Sequence, residues 1–335
     1  MSTAVNVAGC WEPDYSPPAV DSPLKVFTGS AHPELAAAIC QHLGLPLGRS
    51  RTIRFGNENL KIKIDENVRG KDVFVIQPSC SPVSDGLVEL LIMLDALRGA
   101  SANRITAVTP YYPYGRSDKK DEPRISITAR LCADLLETAG ANRVIAVDLH
   151  APQVQGFLRI PSDQLTAKDL LAAHFRKRPD LDEHVVVAPD AGEVKDAGGW
   201  AKRLGIPLAI VDKRRAGDDE HALPNAIVGD VRGRHALIVD DEIATGGTIM
   251  EAAELVLRMG ALSAEAAVVH PVLSGNAVQR LRASPLKRLR VTDTIPVPPE
   301  KSDPRIEVVS VAPLLSEAIR RIHRGESLYD MASRR

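Results

Sequence analysis

Leu237-Ile-Val-Asp-Asp-Glu-Ile-Ala-Thr-Gly-Gly-Thr248 runs from an unbroken apolar stretch into adjacent carboxylates, then into a Thr/Gly turn that opens a helical pattern. A strand that reads as continuous apolar residues is buried on both faces, which points to a largely parallel sheet. Gly246 and Gly247 allow close approach of the backbone to a ligand. The unsatisfied N–H groups of the following helix N-terminus favour a phosphate. Thr245 and Thr248 add hydroxyl donors, while Ala244 completes the turn. A phosphate held there sets a pentose over Asp240 and Asp241, whose oxygens suit two ring hydroxyls or a hydrated Mg²⁺. The plain alternative is an acidic strand-to-helix turn capped by Thr. Two acids in a turn would not displace that reading, but the complete strand, acid pair, Thr-Gly-Gly-Thr and helix do.

On either side of this stretch, short apolar runs alternate with amphipathic segments. Strands are expected at 72–77, 104–109, 143–148, 184–188, 207–212, 235–240, 264–270 and 288–292, and helices at 33–43, 126–139, 192–204 and 248–259. The alternation predicts an α/β fold. With 335 residues the chain suits about two domains. The division expected is 23–165 and 166–335, with a last helix over 313–323 free to pack on either half. Residues 1–22, rich in Pro and lacking Lys and Arg, read as a poorly ordered extension and carry no signal-peptide pattern.

A net charge of −1 provides no global basic field for nucleic acid or an anionic membrane, so anion binding must come from local clusters. The most apolar segment, 87–97, contains Glu89 and Asp95 and is too short to span a bilayer. Cys10, Cys40, Cys80 and Cys132 form no CxxC pair, which fits reduced thiols and a cytoplasmic location.

Three further segments carry charge at strand ends. Tyr111-Tyr-Pro-Tyr-Gly-Arg-Ser-Asp-Lys-Lys-Asp-Glu-Pro-Arg124 is a basic loop with phosphate-binding donors on Arg116, Lys119, Lys120 and Arg124. His150 follows a strand end, and Asp190 in Val187-Ala-Pro-Asp-Ala-Gly-Glu193 follows another, where ligands collect in open α/β sheets. Asp212-Lys-Arg-Arg215 is a second basic patch. Alone, each reads as an ordinary solvated loop or a structural histidine.

Together with Gly29-Ser-Ala-His-Pro-Glu-Leu35, Val68-Arg-Gly-Lys-Asp-Val-Phe74, Asp148-Leu-His-Ala151, Gln155-Gly-Phe157, Thr292-Asp-Thr-Ile-Pro296 and Ser310-Val-Ala-Pro-Leu-Leu315, these segments resemble the ribose-phosphate pyrophosphokinase family over nearly the whole chain after residue 22. The resemblance implies two phosphoribosyltransferase-like domains, each a largely parallel sheet flanked by helices. It implies transfer of the pyrophosphoryl group of ATP to the 1-hydroxyl of ribose 5-phosphate, giving phosphoribosyl diphosphate and AMP, with Mg²⁺ as cofactor. It assigns catalysis to Lys213 and Arg215 and the metal to His150 and Asp190. Nucleotide contacts fall to Phe55, Asn57, Asn59, Arg116, Ser117, Asp118 and His150. The pentose phosphate falls to Asp240, Asp241, Ala244, Thr245, Gly246, Gly247 and Thr248. Dimers assembling into a hexamer are implied, with the 55–59 segment completing a neighbour's site.

Several positions depart from the family pattern. Asn57 and Asn59 are amides where the family has carboxylates, and an amide donates as well as accepts. Ser117 stands for a Gln, Ala244 for an Asp and Glu193 for a Gly. A carboxylate at Glu193 repels phosphates unless it faces a metal or an Arg. These departures motivate two alternatives: a catalytically weak paralogue acting as a regulatory subunit, and an enzyme with altered nucleotide preference. A third, a phosphoribosyltransferase acting on a nucleobase, leaves the N-terminal half without a role.

Overall fold

Residues 23–212 and 226–331 are described by the computed structural model. The expected extension over residues 1–22 lies outside them, as do Lys213 and Arg215.

The first half contains β1 (Leu24–Thr28), α1 (Pro33–Leu43), β2 (Ser50–Arg54), β3 (Leu60–Ile64), β4 (Asp72–Ile76), α2 (Val83–Gly99), β5 (Arg104–Thr109), α3 (Thr128–Ala139), β6 (Arg143–Val147) and β7 (Ser162–Leu165). Strands β1, β4, β5, β6 and β7 form one parallel sheet in that spatial order. β2 and β3 pair antiparallel as a separate hairpin. The central strand β4, Asp-Val-Phe-Val-Ile, is buried along its whole length, as its unbroken apolar run requires.

The second half contains α4 (Lys168–Arg176), β8 (His184–Ala188), α5 (Val194–Leu204), β9 (Leu208–Asp212), β10 (Ala226–Val228), β11 (His235–Glu242), α6 (Gly247–Arg258), β12 (Ser263–His270), α7 (Ala277–Ala283), β13 (Arg288–Thr292), β14 (Ile306–Val309) and α8 (Ala312–Arg324). Its sheet runs β10-β9-β8-β11-β12-β13-β14, parallel except for the edge strand β10. Two parallel sheets flanked by helices are the α/β architecture that the alternating pattern demands.

One apolar core crosses between the halves. Val26, Ile39 and Phe74 of the first half pack with Phe175, Trp200 and Val239 of the second, and with Leu315, Ile319 and Ile322 of α8. Each such large side chain, once fully buried, contributes about 1.5–3 kcal/mol. Helix α8 lies against the first half, where Arg104 donates to the Ile322 carbonyl (3.1 Å) and His323 Nδ1 meets Asp72 Oδ2 (2.8 Å). The carboxyl ends of β6 and β11 therefore face each other across a packed boundary.

Candidate active site

A cleft of about 240 Å³ opens where β11 ends, lined from the second half by residues 240–249, Asp190 and Glu193, and from the first by Arg116 and His150. β11 is pinned between β8 and β12, so its last residues reach the sheet edge with their backbone already paired. Asp240 and Asp241 are both buried there. Ile243 donates to the His270 carbonyl (3.0 Å), and Ser274 to the Ala244 carbonyl (2.9 Å), which ties the turn to the segment after β12.

Gly246 caps α6 with φ +78°. That left-handed backbone is strained for any residue bearing a Cβ, which explains the glycine. No side chain caps this helix, so its first N–H groups point into the cleft from the Gly246–Thr248 turn. At Gly247 a Cβ would stand 3.1 Å from Nη1 of Arg280 on α7. Arg280 thus brings a cation behind the turn, a contribution absent from the sequence reading.

From the first half, Asp148 leaves β6 with φ +36°. Its carboxylate accepts from Thr166 Oγ1 (3.0 Å) and the Ala167 N–H (2.7 Å), which fixes the strand exit. Two residues later His150 Nδ1 lies 2.6 Å from Asp241 Oδ2. That hydrogen bond, opposed by burial, holds the imidazole above its usual range. Burial alone would raise Asp241, but the hydrogen bond and charge of His150 outweigh it and hold the carboxyl low. Asp240 moves the other way, driven up by burial and then by its neighbour's charge. Glu193 is pushed up to about 7 by burial, then by the charges of Asp241, Asp196 and Asp190.

The carboxylate oxygens of Glu193, Asp240 and Asp241 lie within 4.8 Å of one another. Three hard oxygen donors at this spacing are the chemistry a divalent cation takes. Like charges about 5 Å apart repel by roughly 3–4 kcal/mol at an effective dielectric near 20. The cleft lining holds five carboxylates against one arginine and His150 among the described residues, so an anionic ligand needs a cation to enter.

Not every expected site residue reaches this cleft. Asp190 does, but its Oδ1 accepts from the N–H groups of Gly192 (2.8 Å) and Glu193 (3.3 Å), shaping the turn before α5. Ser117 places its hydroxyl against the Ser126 carbonyl and the Thr128 N–H (both 3.3 Å), at the start of α3. Asp118 is buried and accepts from Gln153. Phe55, Asn57 and Asn59 form the exposed tip of the β2–β3 hairpin, where Asn57 Oδ1 accepts from the Asn59 N–H (3.3 Å). Lys213 and Arg215 fall outside the described residues.

The geometry is matched by sequence comparison. A family profile described as the N-terminal domain of ribose phosphate pyrophosphokinase matches residues 24–140, and one described as a phosphoribosyl synthetase-associated domain matches 219–332. A protein of Caldanaerobacter subterraneus subsp. tengcongensis named ribose-phosphate pyrophosphokinase is 50% identical over 305 residues, covering 91% of this chain and 96% of the relative. This chain belongs to the ribose-phosphate pyrophosphokinase family. Another relative of that name, from Deinococcus radiodurans, is 49% identical over 311 residues, covering 92% of this chain and 97% of its own length. The crystal structure of phosphoribosylpyrophosphate synthetase from Mycobacterium smegmatis superposes with a TM-score of 0.86 at 42% identity, covering 91% of this chain and all of that one. Within this pyrophosphokinase fold, the residues missed by sequence reasoning are those whose partners lie far away in the chain. Glu242 is bonded by Tyr111 and Arg116 of the other half. Lys168 is buried in an ion pair with Asp196.

Proposed function

We propose that the cleft at the end of β11 seats ribose 5-phosphate and the phosphates of ATP side by side. The chain is an enzyme of the pyrophosphokinase class: it transfers the pyrophosphoryl group of ATP to the 1-hydroxyl of ribose 5-phosphate, giving phosphoribosyl diphosphate and AMP. The observation that carries the assignment of the cleft is the uncapped α6 N-terminus, behind Gly246–Thr248, facing the buried Asp240 and Asp241. A 5-phosphate accepts the turn's N–H groups and the hydroxyls of Thr245 and Thr248. The pentose then lies over the acid pair, which accepts from its hydroxyls.

His150, joined to Asp241 across the boundary of the halves, ties the nucleotide side to the pentose side. Arg116 offers the guanidinium that meets the nucleotide's phosphates, and the family resemblance assigns Lys213 and Arg215 to the charge that develops on the transferred group. Reactions of this type depend on positioning and on neutralising that charge more than on covalent chemistry. Glu193, Asp240 and Asp241 form the donor set that fits Mg²⁺, with His150 and Asp190 beside it. When bound, the ion supplies positive charge to the phosphate oxygens.

The hairpin tip at Phe55, Asn57 and Asn59 lies away from the cleft of its own chain, which supports the reading that it serves a neighbouring subunit in dimers assembled to a hexamer. Asp118 and Ser117 also order the nucleotide loop through Gln153, Ser126 and Thr128, beside the nucleotide contacts that the family resemblance assigns to them. Among the described residues no helix is long and apolar enough to cross a membrane, and a cytoplasmic enzyme fits the reduced cysteines. The relatives' names support the enzyme and lend nothing to a regulatory paralogue. The deciding measurement is product formation from ribose 5-phosphate and Mg²⁺ with ATP and, separately, with other nucleoside triphosphates. Phosphoribosyl diphosphate and AMP from ATP are expected, and no diphosphorylated pentose with any nucleotide would overturn the reading.

A further inference from the structure

We infer that Glu242 is a positioning residue that holds the Arg116 guanidinium in the cleft for the phosphates of the nucleotide. The inference rests on the pyrophosphokinase reading of the cleft and extends it to a residue with no assigned part.

Glu242 ends β11, and its carboxylate is almost wholly buried. A buried charge is tolerated only when its oxygens are satisfied. Here each oxygen has a donor from the other half of the molecule: Tyr111 Oη donates to Oε2 (2.8 Å) and Arg116 Nη1 to Oε1 (3.0 Å). Tyr111 is a fixed donor. Its ring lies against the His270 imidazole, with centroids 4.8 Å apart, and His270 Nε2 meets the Asp148 carbonyl (3.0 Å). A carbonyl only accepts, so Nε2 carries a proton and the ring is locked in place. The carboxylate is therefore anchored on one side by a rigid partner and extended on the other toward an arginine.

Arg116 has no comparable support. Its side chain is 63% exposed, and Glu242 is the one ion-pair partner found for it among the described residues. A long side chain without a fixed partner samples many rotamers, and ordering it on binding weakens affinity. The bond to Glu242 occupies one terminal nitrogen of a guanidinium with five N–H donors in a planar fork. The remaining edge suits a phosphate. Arg116 is also the only Arg or Lys lining the cleft among the described residues. Holding it in place matters most in a lining so rich in acids.

Glu242 has a second, opposite effect, since its charge repels phosphate. The two effects separate by background. With Arg116 present, removing the charge of Glu242 releases the guanidinium. With Arg116 absent, only repulsion remains, and removing it cannot weaken binding of an anion.

The test is a binding cycle on the full chain: wild type, E242Q, R116A and the double variant, titrated calorimetrically with Mg-ATP and, separately, with ribose 5-phosphate. E242Q is expected to weaken ATP binding by about 3- to 10-fold and ribose 5-phosphate binding by less than about twofold, the coupling of two contacting groups. In the R116A background, E242Q should leave ATP binding unchanged or tighten it. Equal weakening in both backgrounds overturns the inference, as does equal loss for both ligands. The E242L/Y111F variant replaces the carboxylate and its buried partner by apolar groups, leaving no orphaned hydroxyl. It should weaken ATP binding like E242Q, and wild-type affinity in the folded variant would refute the role. Binding is read without turnover. An inactive wild-type enzyme thus counts against the reaction, and an uncoupled cycle counts against Glu242.

Discussion

Replacing Gly246 by Ala tests whether the α6 turn is the phosphate seat. Gly246 has φ +78°, and a Cβ there would stand 3.3 Å from Met250 Cε. The methionine tip is flexible and can yield, so the cost comes mainly from the backbone, about 1–2 kcal/mol for a left-handed residue with a Cβ. If the turn keeps its shape, stability falls by that amount and the N–H groups stay aimed. If the turn relaxes, the strain is relieved and the alignment of N–H groups with the phosphate is lost, at about 1.5–3 kcal/mol for each bond to a charged ligand. Ribose 5-phosphate affinity is then expected to fall by roughly 10- to 100-fold, since about 1.4 kcal/mol is tenfold. The control is Gly44→Ala, at the C-cap of α1. It has φ +67° and nothing within 4 Å of an added Cβ, so the strain is matched without contact with the cleft. Calorimetry with ribose 5-phosphate and urea unfolding on both variants separate the terms. The reasoning is refuted if folded Gly246→Ala binds ribose 5-phosphate like wild type without losing about 1–2 kcal/mol of stability, or if Gly44→Ala loses as much affinity.

Three other outcomes are expected. Lys213→Ala should abolish turnover while calorimetric affinity for ribose 5-phosphate stays within about threefold, because that residue is assigned to charge developing during transfer and not to ground-state binding; equal loss of both would remove it from catalysis. Glu193→Gln should raise the Mg²⁺ concentration for half-maximal activity by at least about threefold, since one of three carboxylate donors is lost, and an unchanged Mg²⁺ titration would exclude Glu193 from the ion. Arg104→Ala should destabilise the fold by about 3–5 kcal/mol in urea unfolding, because the fully buried Asp72 carboxylate would lose its arginine and keep His323 as its side-chain partner among the described residues; a loss below about 1 kcal/mol would show that the pair does not anchor α8.

Residues legible in the sequence are those whose signal is local. β11 announces itself because four apolar residues meet three acids, and Gly246 because a Thr/Gly turn opens a helical pattern. The hairpin is harder. Four of the five residues of β2 are exposed, so it lacks the apolar run that marks β4 or β8. Ser117, a nucleotide contact only through the family resemblance, bonds Ser126 and Thr128 at the entry to α3, partners that the loop's own sequence does not announce.

Glu242 marks the boundary of such reading. Following Asp240 and Asp241, it looks like one more acid in a polar turn, and nothing in the neighbouring sequence separates the three. What separates them is the partner each one finds. Asp241 takes His150 from 91 residues away, and Glu242 takes Tyr111 and Arg116 from 131 and 126 residues away. Asp240 accepts from the neighbouring N–H of Asp241 (2.8 Å) and lies in the carboxylate cluster with Glu193. Three consecutive carboxylates therefore have three different jobs, which arise only when the two halves are packed together. The shared core that includes Phe74, Trp200 and Ile319 fixes that packing. A core substitution at Trp200 would consequently disturb the His150–Asp241 and Arg116–Glu242 contacts together, though it touches neither pair. The site belongs to neither half alone, and its chemistry depends on the boundary between them.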